Sequence, residues 1–465
     1  MGLLLIGTSA TFVRAEQPGQ PLPADSLPET WQYVSDYAGQ LPGSEDTMWW
    51  HRFNDATLDT LISLGLDNNY DVLMAARRME VSRQTLNEVR SLYFPSVNIS
   101  GGWTKNRTSG AMSSTSTPAS SSSSFNLGAD LSWQIDIFGK ITAQVREGKA
   151  NWQASRAEYA GAMLTLCGDI ASSYIQLRML QAQKKVAEEH LQRQETVVNI
   201  TRARYEAGLA SQLDVLQAST VYSSTKATLP GLNSSIQATM NAINVLVGDM
   251  PGDINSLLIS GPMPDFHMLI TAGVPRELIR RRPDIVQAEA NLAALAAAVG
   301  IAKKDFLPTL SLNGSIGTVA HRAGDLFKNN SLEYSIAPTL SWTVFDGMKR
   351  KYAVAAAKEQ MLAGIDSYNL TVLTAVKEVE NALISYKSAC EEVTLVNDVV
   401  NQARKTVDLS VDLYKSGLSG FTDVANAQMT YLSYSNTLIE SQGKALTALI
   451  NLCEALGGGW TTDNM

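Results

Sequence analysis

The sequence is poor in the residues that most catalytic and metal chemistry needs. Its 465 residues hold three cysteines (Cys167, Cys390, Cys453), far apart in helical sequence and without metal-ligand spacing. They read as buried helix positions. The four histidines (His51, His190, His267, His321) are scattered, with no HExxH pair. There is no GxSxG turn, P-loop or Gly-rich dinucleotide fingerprint. The sequence therefore predicts no enzyme, no cofactor and no metal. A formal net charge of -8 without a Lys/Arg cluster excludes nucleic acid as partner. Beyond the N-terminus no segment holds eighteen consecutive apolar residues, so no transmembrane helix is expected and membrane insertion must use strands. The apolar run Leu3–Val13, closing on Val13-Arg14-Ala15, is too short to span and reads as a secretory signal over residues 1–15. Proline is absent between Pro118 and Pro230 and after Pro338. In those intervals Ile137–Arg204 and Asp346–Leu413 suit helix throughout, with Gly161, Gly168 and Gly364 as weak spots. Each run is about 68 residues, on the order of 100 Å of helix. That length fits a coiled coil or a helical barrel rather than a globular domain.

What is present is written twice. "LSWQIDIFGK" (Leu131–Lys140) matches "LSWTVFDGMK" (Leu340–Lys349), and "YEAGLASQLDVLQA" (Tyr205–Ala218) matches "YKSGLSGFTDVANA" (Tyr414–Ala427). Trp133 and Trp342 are 209 positions apart, as are Tyr205 and Tyr414. "YFPSVNISG" (Tyr93–Gly101) matches "FLPTLSLNG" (Phe306–Gly314) at 213 positions. A gapless repeat of this length is an internal duplication. One inserted residue would rotate the rest of a helix by about 100°, so both copies keep the same rod length. Each copy runs helix, Pro, strand, loop, strand, long helix, Gly turn, helix. The predicted boundaries are 16–57 for an N-terminal equatorial segment and 58–247 for repeat 1. Repeat 1 has strands at 96–106 and 125–135, a long helix at 137–204 and a returning helix at 211–247. A linker at 248–274 leads to repeat 2 at 275–456, with strands at 309–319 and 334–344 and helices at 346–413 and 420–456. A tail covers 457–465. Helix is expected across Leu58–Leu92 and Pro275–Phe306. The Ser-rich stretch "RTSGAMSSTSTPASSSSS" reads as a solvated loop.

"FNLGADLSWQIDIF" (Phe125–Phe138) alternates strictly: Phe125, Leu127, Ala129, Leu131, Trp133 and Ile135 against Asn126, Gly128, Asp130, Ser132, Gln134 and Asp136. Tyr334–Val344 alternates the same way, with Pro338 costing one ladder bond. Four such strands can cross a bilayer obliquely but cannot close a barrel, and an open edge in lipid leaves unsatisfied N–H and C=O groups. Chains must pool strands. Two would give eight, filled by side chains; three would give twelve, with the beginnings of a lumen. Leu127, Leu131, Trp133, Ile336, Leu340 and Trp342 would face lipid, while Asn126, Asp130, Ser132, Thr339 and Ser341 would line water. Trp133 and Trp342, near strand ends, suit an aromatic belt. The competing reading is a soluble hairpin packed on a helical bundle.

With "RRPDI…AE…L…A…GIAK…FP" (Arg281–Pro308), the two "SW…F…G" junctions and the two "Y…GL…DV" turns, the chain resembles the outer membrane factor (TolC-like) family from Trp49 to Gly458. It is most similar to the RND-type efflux branch. The resemblance implies a mainly α fold with membrane β: a homotrimer with a twelve-stranded barrel in the outer membrane and a long periplasmic α-helical barrel. It also implies a periplasmic adaptor (membrane fusion) protein and an inner-membrane pump of RND type as partners. The expected function is a passive exit duct for small molecules, opened at its periplasmic tip by the adaptor. The alternatives are a type I protein secretion duct and a non-channel coiled-coil envelope protein. Many members of this branch carry a lipidated Cys at the mature N-terminus; no Cys lies near residue 15 here.

Two turns are the candidate sites. Gly208 and Gly417 would end the long helices in the left-handed cap conformation, and Ser211 and Ser419 would start the returning helices. The family places these turns at the tip, making Leu209, Leu418, Ser211 and Ser419 adaptor contacts. It also makes Asp423 and Asn426 pore-gate residues, with Asp214 and Gln217 equivalent in copy one. Three symmetry-related Asp423 carboxylates would repel one another and attract cations. With one Asp per protomer rather than two, the cation block should be weak.

Overall fold

The computed structural model describes residues 20–22, 31, 48–109, 120–259, 261–265 and 281–458. The predicted signal at 1–15, most of the segment 16–57, residues 266–280 (with His267) and the tail from 459 lie outside them. A 3-10 turn at Trp49–Phe53 precedes α1 (Ala56–Asn68) and α2 (Tyr70–Ser91). Then come β1 (Ser96–Thr108), β2 (Ser120–Ile135), α3 (Lys140–Glu206) and α4 (Gln212–Leu246). The second copy has α5 (Pro283–Lys304), β3 (Thr309–Ala320), β4 (Leu332–Ser341), α6 (Lys349–Lys415) and α7 (Phe421–Ala455). The duplication is metric. The long helices α3 and α6 have 67 residues each, the returning helices α4 and α7 have 35 each, and α2 and α5 have 22 each. At 1.5 Å per residue each long rod is about 100 Å.

Four expectations change. The helix expected across Pro275–Phe306 starts anew at Pro283, because Arg282 before it is extended (φ -75, ψ 125). The helix expected across Leu58–Leu92 breaks at Asn69, whose extended backbone (φ -64, ψ 129) starts a new helix. Its side chain accepts from Asp71 N and Val72 N and donates to the Leu246 carbonyl at 2.9 Å. The Ser-rich loop is shorter than expected, because Ser120–Ser124 pair with Thr104–Thr108 in the ladder. Backbone bonding extends the hairpin where side chains have little to bury; residues 110–119 lie outside the described residues. Conversely β4 stops at Ser341, short of the expected 344.

The sheet is an antiparallel meander in the order β1-β2-β3-β4. Its register sorts the residues by chemistry. Val97, Ile99, Gly101 and Trp103 oppose Leu131, Ala129, Leu127 and Phe125. These continue into Leu310, Leu312, Gly314, Ile316 and Thr318, and then into Leu340, Pro338, Ile336, Tyr334 and Leu332. The other face carries Asn98, Asp130, Ser315 and Ser335 in one row. The apolar face is bare, with Ile99 80% and Ile336 75% exposed. Both outer edges, on β1 and β4, lack a strand partner among the described residues.

The largest apolar core lies midway down the rods. Leu58, Leu61 and Ile62 pack on Ile170, Tyr174 and Leu177 of α3, with Leu446 and Leu449 of α7. There the returning helices meet the short ones end to end. Asn69 begins α2 and bonds Leu246 of α4; Arg282 precedes α5 and donates Nη1 to Ala455 of α7 at 3.0 Å. Arg282 also forks onto Asp284 (3.0 and 2.7 Å) and reaches Glu378 (2.7 Å). Among the described residues one helix, α5, is long and apolar enough to cross a membrane by length and composition. About a fifth of that stretch (22%) is buried, and part of its apolar surface packs on α6: Ile285 against Tyr368, Val372 and Ala375, and Leu295 over Gly364.

Candidate functional site

Below the sheet, each strand-to-helix junction is clamped the same way. Trp133 donates its indole N–H to the Tyr93 carbonyl at 2.9 Å, and Trp342 donates to Phe306 at 3.0 Å. Trp133 lies in β2, whereas Trp342 follows the end of β4 and is 60% exposed. In copy one Asp136 accepts from Ile141 N, Thr142 N and the Thr142 hydroxyl. Against the cost of burial, these bonds hold its carboxyl below the usual carboxylate range. In copy two Asp346 pairs instead with Arg350 at 2.6 Å. Arg350 also donates to the Asp305 carbonyl at 2.9 Å and to the Thr343 carbonyl.

At the far end of the rods the two turns are near-copies. Gly208 (φ 71) and Gly417 (φ 76) occupy the left-handed region that costs other residues roughly 1–2 kcal/mol. Gly208 N donates to Tyr205 O at 2.9 Å and Leu209 N to Arg204 O at 2.7 Å. Gly417 N and Leu418 N repeat this with Tyr414 O and Leu413 O at 3.0 and 2.9 Å. These nested bonds satisfy the last helical carbonyls and leave Leu209 and Leu418 outermost, 66% and 75% exposed.

The copies diverge one step later. Ser211 caps α4 and forms a reciprocal box with Asp214: Asp214 N donates to Ser211 Oγ at 3.2 Å and Ser211 N to Asp214 Oδ2 at 3.3 Å. The expectation that Ser419 begins α7 is not met. Gly420 holds that position without a side-chain cap, and Ser419 donates only to the Gly420 carbonyl at 3.3 Å. The reason is register, because the repeat offset puts Gly420, not Ser419, opposite Ser211. Asp423 is thereby released from capping. Its carboxylate has no hydrogen-bond or ion-pair partner among the described residues, and it is exposed beside Asn426 on one face of α7. Asp214 and Gln217 are half-buried. The four positions share one end of the helical body, where Ala218 of α4 joins Phe421, Val424 and Ala425 of α7 in a small apolar cluster.

Sequence reasoning missed Arg204. Its guanidinium lies over the Tyr414 ring at 5.0 Å and donates to the Lys415 carbonyl at 2.6 Å, tying the end of α3 to the end of α6. A cation in a last helical turn was the available signal. It is lost in comparing the copies, because the equivalent position is Leu413. Among the described residues no group of His, Cys, Asp and Glu has the arrangement of a metal site.

Comparison with known proteins agrees with this geometry. The outer membrane efflux protein family model matches residues 61–249 and 274–458. The pyoverdine export outer membrane protein OpmQ of Pseudomonas aeruginosa is 28% identical over 454 residues, covering 95% of this chain and 94% of that one. Nodulation protein T of Rhizobium leguminosarum bv. viciae is 30% identical over 446 residues, covering 95% and 90%. Among solved structures, the outer-membrane channel OprN superposes with a TM-score of 0.86 at 27% identity, over 93% of this chain and 98% of that chain.

Proposed function

The chain belongs to the outer membrane efflux protein family, and from that premise we propose that it is a passive exit duct for small molecules, opened at its periplasmic tip by an adaptor. Members of the family are channels, not enzymes. They work as trimers in tripartite efflux with an adaptor and an inner-membrane pump, and this chain is an outer membrane protein with a large periplasmic helical part. The reading extends to a pump of RND type, favoured by the Arg281–Pro308 motif, and to a twelve-stranded barrel of three pooled sheets. The two open sheet edges support pooling, since each must find a strand before its N–H and C=O groups can enter lipid. An equatorial collar built from the N-terminal and central segments is supported by two docking points. Asn369 of α6 bonds Gln20 and Leu22 (3.0 and 2.7 Å), and Arg178 and Gln181 of α3 bond Ile259 and Leu258 (2.7 and 2.9 Å).

The observation that carries the gate is the partnerless Asp423 carboxylate at the tip. Three of them around one axis form an acidic ring that attracts cations and narrows the closed duct. The exposed Leu209 and Leu418, with Gly208, Ser211, Gly417 and Ser419 beside them, offer the adaptor its contact. The test is single-channel conductance of purified trimers in planar bilayers, with and without millimolar divalent cation. Asp423→Ala should raise conductance and abolish the cation block. Unchanged conductance and an unchanged block would remove Asp423 from the gate.

A further inference from the structure

The bare face of the sheet carries only two charges, both positive and both at one end. On β1 its residues are Val97, Ile99, Gly101 and Trp103, followed by Lys105 and Arg107. No other charged residue shares that face on β2, β3 or β4; the acidic residues of the strands, Asp130 and Glu333, lie on the opposite face. The position of the two cations can be gauged. Ser96 faces Ser132, so Trp133 is level with position 95, eight residues below Trp103. That is about 27 Å along a strand. At a tilt of about 40° it becomes on the order of 20 Å of height, close to the roughly 25 Å apolar band between the aromatic girdles of such barrels. Trp103, with Phe125 at 6.3 Å, is then the upper girdle. Lys105 and Arg107 stand about 7 and 14 Å further along the strand, in the headgroup layer of the external leaflet. Their cross-strand partners are Ser123 and Ser121, which leave them uncompensated. His321 Nδ1 lies 2.9 Å from the Ser123 carbonyl, keeping the end of β3, and Arg322 after it, beside the same row. Side chains of this face stand perpendicular to the sheet, so a strand added at the β1 edge leaves them open to lipid.

We propose that Lys105 and Arg107 bind phosphate groups on the glycolipid that forms the external leaflet of an outer membrane. The apolar face below them is continuous with the glycolipid's acyl chains. Both cations are exposed, and neither has a hydrogen-bond or ion-pair partner among the described residues. A basic side chain near a charged lipid surface changes affinity several-fold, so removing two predicts a loss of about 30-fold per site.

The test is lipid titration of the purified trimer in mild detergent, followed by native mass spectrometry. The probes are bisphosphorylated lipid A, its dephosphorylated form, phosphatidylglycerol and inorganic phosphate. Wild-type protein should bind lipid A far more tightly than the dephosphorylated form. Lys105→Gln with Arg107→Gln should abolish that preference, and the swap Lys105→Arg with Arg107→Lys should keep it. Lys349→Gln with Lys351→Gln, at the opposite end of the sheet, should leave it unchanged. Equal binding of the dephosphorylated form would reduce the contact to acyl chains and overturn the proposal. So would an unaffected Gln/Gln variant, or equal competition by phosphatidylglycerol or inorganic phosphate, which would mean a generic anion site.

Discussion

Replacing Glu454 by Gln should stabilise the protein at pH 8 and leave it nearly unchanged at pH 5. Glu454 sits on the last turns of α7, pressed against α3 where Gly168 has no side chain; a Cβ there would lie 1.5 Å from Glu454 Oε1. Burial, and then the Asp169 carboxylate, push Glu454 from its ordinary 4.5 up to about 7. The same crowding raises Asp169 through burial, and burial together with Glu454 pushes the Cys167 thiol up to about 12. A raised carboxyl pKa means that the folded protein holds a proton the unfolded chain has released. The stabilisation is complete below pH 4.5 and is lost as pH rises through about 7. An undiscounted shift of this size is worth about 3.4 kcal/mol. Because Glu454 is only half-buried, solvent screening reduces this to on the order of 1–2 kcal/mol per chain. Gln removes the ionisation and keeps the shape. Thermal melts followed by circular dichroism in detergent should therefore give a midpoint a few degrees higher for the variant at pH 8, shrinking to a small remainder at pH 5. An equal shift at both pH values, or a variant less stable at pH 8, would refute the reasoning.

Three further outcomes follow from the geometry. Gly420→Ser should rebuild the missing cap, because Gly420 (φ -81, ψ 161) already has the backbone of Ser211 (φ -87, ψ 159) and open space for a Cβ. The gain is only a few tenths of a kcal/mol, but tying Asp423 into a box should weaken any cation block in bilayer recordings. Arg282→Ala should lose one charged hydrogen bond to the Ala455 carbonyl and two half-exposed ion pairs, roughly 2–4 kcal/mol in all. Hydrogen exchange should quicken at amides 453–458 while staying unchanged at the tip. Acid should act on His190, which burial and then Arg193 hold down at about 4 beside the Tyr431 ring. The stability it contributes is present above about 6.5 and lost as pH falls through about 4, so His190→Gln should flatten that part of the acid melting curve.

Much of the fold was legible in the sequence because rods and strands are local and periodic. The absence of proline fixed the long helices to within a few residues, and period-two alternation fixed which face of each strand is apolar. What could not be read depended on partners distant in sequence. Asn69 looks helical until Leu246 is seen to need a donor. Arg282 was visible only as part of a motif until α7 and α6 converged on it. Ser419 resembled a cap by composition, but the repeat offset assigns that place to Gly420. At the site, the positions of Asp423 and Asn426 were readable. The freedom of Asp423 was not, because it follows from a serine that copy one has and copy two lacks.

On the proposed pooling of three sheets into one barrel, the two edges that lack a strand partner among the described residues also bear on how the assembly must form. A lone chain, or an incomplete ring, still presents a bare backbone edge on each side, and lipid offers it no hydrogen bonds. No intermediate short of the closed ring satisfies the main chain, so closure is all-or-none. Partial rings should be scarce at every protein concentration. The penalty for a defect at the β1 or β4 edge is repeated at every seam of the barrel, so a weak edge substitution in one gene becomes a strong one in the assembled duct.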